Sequence, residues 1–170
     1  MATRLSSKTG IAYLEMDQVR MRLLPGPKHT RAERVVALRA MNLAAELLLQ
    51  HGVSVILDAQ YRRPEDRDEV RTVIERTGAR LVIIECAVSP EEAVRRFIER
   101  GPDPIRLDIT NENVYEMARE FVYSREGLVL DTDRLSVEEC FALVEQYVAA
   151  ARNAVTLHWY GAAKFGPAGA

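Results

Sequence analysis

The stretch Val53-Ser54-Val55-Ile56-Leu57-Asp58 decides the fold, because it has the pattern of a buried strand that ends in a carboxylate. Earlier in the chain, Tyr13-Leu14-Glu15-Met16 leads in the same way into Asp17-Gln18-Val19-Arg20. In an open α/β sheet, ligands bind beyond the carboxyl ends of the strands. Two carboxylates there, each followed by arginine, suit a site that handles a hydroxyl and a phosphate. The sequence therefore predicts a ligand site at the ends of these two strands.

Length and composition are typical of a soluble globular protein that forms one domain. The chain has 170 residues, 48% of them hydrophobic and 28% charged, with a formal net charge of −2. This charge gives no general attraction to nucleic acid or to acidic membranes. No apolar run approaches the roughly 18 residues of a membrane span, and no secretion signal is present. Cys86 and Cys140 lie in apolar stretches typical of a protein core. We therefore expect a cytoplasmic protein with no membrane partner and no strong nucleic-acid signal.

Helix starts recur between the apolar stretches. A capping box, in which a hydroxyl is followed three residues later by a carboxylate, occurs at Thr30-Arg31-Ala32-Glu33, Ser89-Pro90-Glu91-Glu92 and Ser136-Val137-Glu138-Glu139. The nearly continuous apolar run over residues 81–87 is typical of a parallel strand that is buried on both faces. The alternation predicts an α/β fold, a parallel sheet with helices on both faces, over residues 1–152. Residues 153–170 lack a period and are expected to form a flexible tail.

The order of these motifs resembles the P-loop kinases of the zeta-toxin, chloramphenicol-phosphotransferase and polynucleotide-kinase type, over residues 2 to 150. That family has an Asp-x-x-Arg after a short strand, a strand ending in Asp, a lid that bears arginines, and a strand that commonly reads Leu-Asp-Thr. The corresponding segments here are Asp17-Gln18-Val19-Arg20, Val55-Ile56-Leu57-Asp58, Arg95-Arg96 through Arg100, and Leu130-Asp131-Thr132. The resemblance implies a P-loop NTPase-like three-layer sandwich. It also implies an ATP- and Mg²⁺-dependent kinase that phosphorylates a hydroxyl of a small molecule or nucleotide.

The first strand and the phosphate loop of that family have no counterpart in this sequence. Residues 2–10 resemble the second half of the helix that follows the loop, and Ser7-Lys8-Thr9-Gly10 lacks the glycine before the lysine. No residue is therefore assigned to the ATP phosphates. One interpretation is that the chain starts at an internal codon of a longer reading frame. The other is a relic of the fold that acts as a non-catalytic binding module.

Packing favours the longer reading frame. The first strand of these kinases lies in the middle of the sheet, so its loss removes about five buried side chains, each worth ~1.5–3 kcal/mol. The total, on the order of 10 kcal/mol, is comparable to the whole stability of a typical domain, roughly 5–15 kcal/mol.

The resemblance assigns roles to the two acids and to the first arginine. Asp17 would orient the acceptor hydroxyl and take its proton, whereas its alternative role is a helix N-cap. Arg20 would bind the acceptor or its phosphate, or else be a solvated helix arginine. Asp58 would hold the water shell of Mg²⁺, or else only begin a turn.

Further arginines are candidates for contact with the substrate or with the transferring phosphoryl group. Arg62 and Arg63 could contact the substrate, although arginines at such positions are commonly solvated. Arg96 and Arg100 are four residues apart on one helix face, and the resemblance makes them lid arginines that stabilise the transferring phosphoryl group; Arg106 could serve instead. A basic segment could meet a phosphorylated substrate, but a solvated helix entrance is favoured for it. Its members are Arg20, Arg22, Lys28, His29, Arg31 and Arg34. The oligomeric state is not indicated.

Overall fold

The computed structural model describes residues 1–101 and 109–157, the last five of them as backbone only. In chain order the elements are α1 (Ala2–Thr9), β1 (Ala12–Glu15), α2 (Met16–Leu23), α3 (Arg31–Gln50), β2 (Val55–Asp58), α4 (Pro64–Thr77), β3 (Ile84–Ala87), α5 (Pro90–Arg100), α6 (Asn111–Arg119), β4 (Leu128–Asp131) and α7 (Val137–Leu157). This order confirms the predicted alternation of strands and helices.

The chain divides into two compact units, each of which contains one pair of parallel strands. Unit 1 comprises residues 1–81 and those from 149 onward, and unit 2 comprises residues 82–148. In unit 1, β1 pairs with β2 from Ala12↔Val55 to Glu15↔Asp58. In unit 2, β3 pairs with β4 from Ile84↔Leu128 to Ala87↔Asp131. Among the described residues the strands thus form two separate parallel pairs, rather than one continuous ladder.

The core of unit 1 is built on one stripe of α3. Ala37, Leu38 and Met41 are buried there together with Met16 of α2. Partly buried side chains pack against this cluster: Leu14, Val19, Leu57, Ala59 and Tyr61. Each large apolar side chain stabilises such a core by about 1.5–3 kcal/mol. The cluster therefore fixes α2 and α3 against β1 and β2, beside the ends of both strands.

Local signals set the helix boundaries of unit 1. The Glu33 amide donates to the Thr30 hydroxyl at 3.3 Å, and the Thr30 amide donates to the Glu33 carboxylate at 3.0 Å, so the predicted capping box is confirmed. Gly10 ends α1 with φ 71, a left-handed conformation that glycine adopts without steric cost. Pro64 begins α4, where its missing amide hydrogen costs nothing.

Two predicted boundaries differ from the structure. The apolar run over residues 81–87 forms a strand only at Ile84–Ala87, where it lies opposite β4. Helix α7 continues to Leu157, past residue 152, at which the domain was expected to end, and the rest of the expected tail lies outside the described residues.

Two local predictions in unit 2 are also wrong in detail. At Ser89 only half of the capping box forms: the Glu92 amide donates to the Ser89 hydroxyl at 3.2 Å, but the Ser89 amide donates to Asp133 at 3.1 Å. The Asp133 carboxylate thus replaces the expected Glu92 carboxylate. Cys140 is buried as expected, whereas Cys86 is exposed. In the described part of the chain, no helix is long and apolar enough to cross a membrane.

Candidate functional site

Two acids follow neighbouring parallel strands in unit 1. Asp58 is the last residue of β2 and lies opposite Glu15 of β1, and Asp17 follows two residues after Glu15. Glu15 is the N-cap residue of α2, so Asp17 lies in the first helical turn and its alternative role as the cap is wrong. The Asp17 side chain is 63% exposed. Both carboxylates are therefore at the carboxyl edge of one strand pair, as the sequence predicts.

Arg20 lies one turn along α2 from Asp17 and is buried. Its Nη1 atom is 3.1 Å from Asp17 Oδ1, although its own side chain is only 4% exposed. The same Nη1 atom lies 2.7 Å from His29 Nδ1. Because a guanidinium can only donate, the His29 Nδ1 atom is the acceptor and its Nε2 atom carries the hydrogen. The alternative of a solvated Arg20 is thus wrong. Its buried guanidinium instead contacts the exposed carboxylate of Asp17.

The segment that carries His29 is held by Glu33 of α3. The Glu33 carboxylate accepts hydrogen bonds from the backbone amides of Lys28 and Thr30, each at 3.0 Å. These amides, with that of His29, lower the pKa of Glu33, the Lys28 amide most strongly. His29 has φ 57, a left-handed conformation that is uncommon outside glycine. The start of α3 thereby fixes the imidazole against Arg20.

Asp58 is tied to the neighbouring strand through Tyr13. The Tyr13 hydroxyl donates to Asp58 Oδ2 at 2.9 Å. Partial burial, and then this hydrogen bond, raise the pKa of Tyr13 to about 12. The Asp58 carboxylate itself is exposed at the strand end. Tyr13 therefore sets the orientation of a carboxylate that faces solvent.

A second set of polar groups lies between α3 and the segment that leads into α4. Arg34 Nη2 lies 3.7 Å from Asp66 Oδ2, too far for a hydrogen bond. Burial lowers the pKa of Arg34 most strongly, the charge of Asp66 opposes this shift, and the charges of Arg20 and Arg62 add to it. Burial raises the pKa of Tyr61, because here it disfavours the ionised phenol. The Tyr61 hydroxyl donates to Asn42 Oδ1 at 3.5 Å.

The predicted lid arginines belong to unit 2. Arg96 donates from Nε to Glu92 at 2.7 Å, from Nη1 to the Thr132 hydroxyl at 3.0 Å, and from Nη2 to the Thr132 carbonyl. The pKa of Glu92 is lowered to about 2 by hydrogen bonds from Arg95 and Arg96. The Arg100 guanidinium lies 5.7 Å from the centroid of the Phe97 ring. In this structure Arg96 is engaged in contacts within its own unit, and Arg106 lies outside the described residues.

In unit 1 the structure pairs Asp17 with Arg20, and it places Asp58 at the end of the strand beside β1. Arg62 precedes α4 and Arg63 is the N-cap residue of that helix, whereas Arg96 and Arg100 belong to α5 in unit 2. Sequence reasoning assigned His29 and Arg34 to a basic segment that is most simply solvated, and it missed Asn42, Tyr61 and Asp66. A signal for Asn42 exists, because Arg34 and Asn42 lie four residues either side of Leu38 and share its helix face.

The donor set permits a limited role for Mg²⁺. Mg²⁺ commonly takes one or two protein carboxylates and completes its octahedron with water and substrate phosphates. The exposed Asp58 carboxylate fits such a role. In residues 1–101 and 109–157, no group of three His, Cys, Asp or Glu side chains could hold a metal ion. A cage made only of protein ligands is therefore not available in the described part of the chain.

Comparison with known proteins identifies the family. A search of curated proteins found no match. Among solved structures, the chain is similar to a protein from Chloroflexus aurantiacus J-10-fl described as a "putative kinase", with 18% identity and a TM-score of 0.67. The match covers 86% of this chain and 89% of that one, and at this identity it shows the fold alone. The fold is of the P-loop NTPase type, and because residues 1–123 match the family described as AAA domain, the chain belongs to that family.

Proposed function

We propose that this protein is an ATP-dependent kinase that transfers the γ-phosphoryl group to a hydroxyl of a small molecule or nucleotide. Membership of the AAA domain family and the P-loop NTPase-like fold support a kinase-like function that binds nucleotide. The proposal for the acceptor side rests on one observation in unit 1. The exposed Asp17 carboxylate is held by the buried Arg20 guanidinium at the carboxyl edge of the β1–β2 pair.

This arrangement suits the acceptor half of phosphoryl transfer. Such transfer needs a group that orients the attacking hydroxyl and accepts its proton. Asp17 is exposed enough to meet an acceptor, and its link to a buried guanidinium restricts its orientation. Positioning of this kind contributes as much to catalysis as the proton transfer itself.

Asp58 is proposed to take part in binding Mg²⁺. Mg²⁺, when bound with ATP, neutralises charge on the phosphates, and Asp58 would hold one of its waters. Tyr13 would keep that carboxylate oriented through the 2.9 Å hydrogen bond. The sequence contains no Gly-x-x-x-x-Gly-Lys-Ser/Thr loop, so none of its residues is assigned to the ATP phosphates.

Arg96 and Arg100 are proposed as the arginines that stabilise charge on the transferring group. Such arginines act when an acceptor and ATP are bound, and charge stabilisation of this kind is often the largest single contribution to catalysis. Arg96 would first have to release Thr132 or Glu92, which it contacts in this structure. The remaining candidates for acceptor contacts are Arg62 and Arg63, and Arg63 is the N-cap residue of α4.

The test is a transfer assay on the protein expressed from its complete reading frame. It would be incubated with Mg²⁺, γ-labelled ATP and a panel of hydroxyl compounds: sugars, sugar phosphates, nucleosides and an oligonucleotide with a 5′ hydroxyl. Transfer of label to one class of compound, dependent on Mg²⁺, is expected. Binding of an acceptor without any transfer of label would instead support the alternative of a non-catalytic binding module.

A further inference from the structure

Helix α3 is apolar on two opposite sides, and the protein covers only one of them. The covered side packs against α2 and the β1–β2 pair. Its buried apolar residues are Ala37, Leu38, Met41 and Ala45. On the other side Val36, Leu43 and Leu47 are 49%, 58% and 51% exposed. A helix that is apolar all round is typical of a buried environment, so the exposed side of α3 needs an explanation.

The exposed apolar side chains form one stripe along α3. Leu43 follows Val36 by seven residues and Leu47 follows Leu43 by four, and both spacings keep side chains on one helix face. About two and a half turns separate Val36 from the buried Ala45, so the stripe lies opposite the core. The neighbouring helix α4 is different, because its exposed residues after Pro64 are all polar. They are Glu65, Asp68, Thr72, Glu75 and Arg76. Contiguous exposed apolar side chains like those of α3 mark protein–protein contacts.

Two ion pairs border the stripe on one flank. Arg39 Nε lies 3.3 Å from Glu69 Oε1, and Arg76 Nη1 lies 3.6 Å from Glu46 Oε2. Glu69 and Arg76 both belong to α4, so Arg39 and Glu46 lie on the same flank of α3. A cation is thus found four residues before Leu43 and an anion three residues after it. This flank therefore has opposite charges at nearly equal distances from the centre of the stripe.

Such a surface is complementary to a second copy of itself in antiparallel orientation. A two-fold axis at Leu43 brings the two Leu43 side chains together, and it places Arg39 of each copy opposite Glu46 of the other. Val36 then lies within one helical turn of Leu47 of the second copy. Apolar contacts and ion pairs are therefore satisfied by the same arrangement.

A parallel pair of helices does not give this match. Its two-fold axis would run along the helices, so Arg39 would face the other flank of the second copy. That flank carries Ala40 and Ala44 at this level, and neither can pair with a cation. The distribution of charge thus favours the antiparallel pair.

We propose that the α3 stripe is the interface of a homodimer, in which α3 packs antiparallel against α3 of a second copy. Arg39 and Glu46 form two equivalent ion pairs between the copies, next to the pairs that they make with Glu69 and Arg76 of their own chain. The interface has an apolar centre and a charged rim, as protein interfaces commonly do. This inference does not depend on the proposed kinase function.

Sedimentation equilibrium of the whole chain, from micromolar to millimolar protein, tests for the dimer. L43E places a carboxylate at the two-fold axis, where it meets the same carboxylate of the second copy among apolar side chains. V137E is the matched control, because Val137 is a 68% exposed apolar residue at the start of α7 in unit 2. We expect a dissociation constant that rises at least about a hundredfold in L43E and is unchanged in V137E.

Two results of this experiment would overturn the proposal. One is a wild-type chain that stays monomeric at millimolar concentration. The other is a dimer that L43E leaves intact, because such a dimer uses another surface.

Charge reversal tests the ion pairs with variants that keep the apolar stripe, and it remains informative if L43E does not fold. R39E and E46R should each self-associate at least about tenfold more weakly, because each brings like charges together between the copies. An equimolar mixture of R39E and E46R should form a heterodimer, since every introduced charge then meets its opposite. Unchanged self-association of both variants would overturn the pairing of Arg39 with Glu46.

Cross-linking tests the antiparallel orientation. C86S is the background, because Cys86 is exposed and Cys140 is buried. Packed helices have axes about 8–10 Å apart, so a short bismaleimide can join two L43C/C86S chains at the two-fold axis. The corresponding positions in V36C/C86S are separated by about 21 Å along the antiparallel helices. We expect rapid cross-linking of L43C/C86S and little of V36C/C86S. Equally rapid cross-linking of both variants would indicate a parallel pair and overturn the proposed arrangement.

Discussion

The two units contain similar polar groups, which differ in burial and in hydrogen bonding. In each, a strand ends in aspartate, Asp58 in β2 and Asp131 in β4. Each unit also contains an arginine paired with a carboxylate, Arg20 with Asp17 and Arg96 with Glu92. The side chain of Arg20 is only 4% exposed and its Nε atom has no partner. That of Arg96 is 43% exposed, and all three of its nitrogens donate hydrogen bonds.

This difference separates exposed charges that are fully paired within the protein from a buried charge that has an unpaired donor. Exposed and fully paired charges, such as Arg96 with Glu92, are cheap to maintain and contribute little to stability. A buried guanidinium with open hydrogen bonds costs stability, and such features cluster at functional sites. Unit 1 is therefore the place where substitutions should separate function from stability.

The largest expected effect is that of D17N on phosphoryl transfer. Because amide nitrogen and oxygen cannot take the acceptor proton, turnover should fall by about 10²–10⁴-fold, with little change in fold. The control is D68N, since Asp68 forms a similar exposed pair with Arg71 three residues later, at 2.6 Å. Steady-state kinetics of both variants with the acceptor from the transfer assay would provide the measurement. Near-normal turnover of D17N would show that Asp17 has no catalytic role.

The second largest effect is expected in a comparison of R20M with R96M, measured as phosphate binding and as free energy of unfolding. R20M should weaken phosphate binding at least about tenfold. Its free energy of unfolding should stay within about 1 kcal/mol of the wild type, because the lost contacts to His29 and Asp17 are offset by removal of a buried charge. R96M should leave phosphate binding unchanged and cost at most about 1 kcal/mol.

Urea denaturation and phosphate calorimetry on the two variants would make this comparison. A loss of more than about 3 kcal/mol in R20M is the result expected for a broken structural ion pair. That result would show that Arg20 is paired with Asp17 and His29 to stabilise the fold, and is not kept for a ligand.

Local chemistry explains which parts of the fold the sequence predicts. The capping boxes at Thr30 and Ser136 form as expected because donors and acceptors lie within four residues of one another. The box at Ser89 forms only in part because Asp133, which is 44 residues away in sequence, competes for the Ser89 amide. The local sequence around Ser89 does not include Asp133 and so cannot predict this hydrogen bond. The length of β3 likewise depends on where its partner β4 lies.

The site shows the same limit. Asp17 and Asp58 were predictable because each directly follows an apolar strand, and the pairing of β1 with β2 brings these ends together. The burial of Arg20 and the partial burial of Arg34 were not, since a basic segment that opens a helix is usually solvated. Burial depends on how α2 packs against α3, which fixes which side of each helix meets the core. Only tertiary structure shows that His29 contacts Arg20.

A smaller effect is expected from loss of either capping hydroxyl. T30A and S136A should each lower the free energy of unfolding by about 1 kcal/mol, because each removes the acceptor for an N3 amide. Only T30A should also weaken phosphate binding, since Thr30 adjoins His29 in the segment that Glu33 holds. Equal phosphate affinity in T30A and S136A would show that the segment from Lys28 to Thr30 merely starts the helix.

The smallest effect is a change in the alkaline stability of unit 1 in Y13F. The folded pKa of Tyr13, about 12, lies above its ordinary value of 10.0, so the fold favours the protonated hydroxyl. Stability from this preference is fully present below pH 10.0 and is lost as the pH rises through about 12. Y13F cannot ionise, so its stability should fall less over that interval than that of the wild type. Urea denaturation at several alkaline pH values would measure the difference, and tyrosinate absorbance would follow the ionisation directly. Parallel pH curves for the two proteins would mean that Tyr13 ionises as a free phenol and does not hold Asp58.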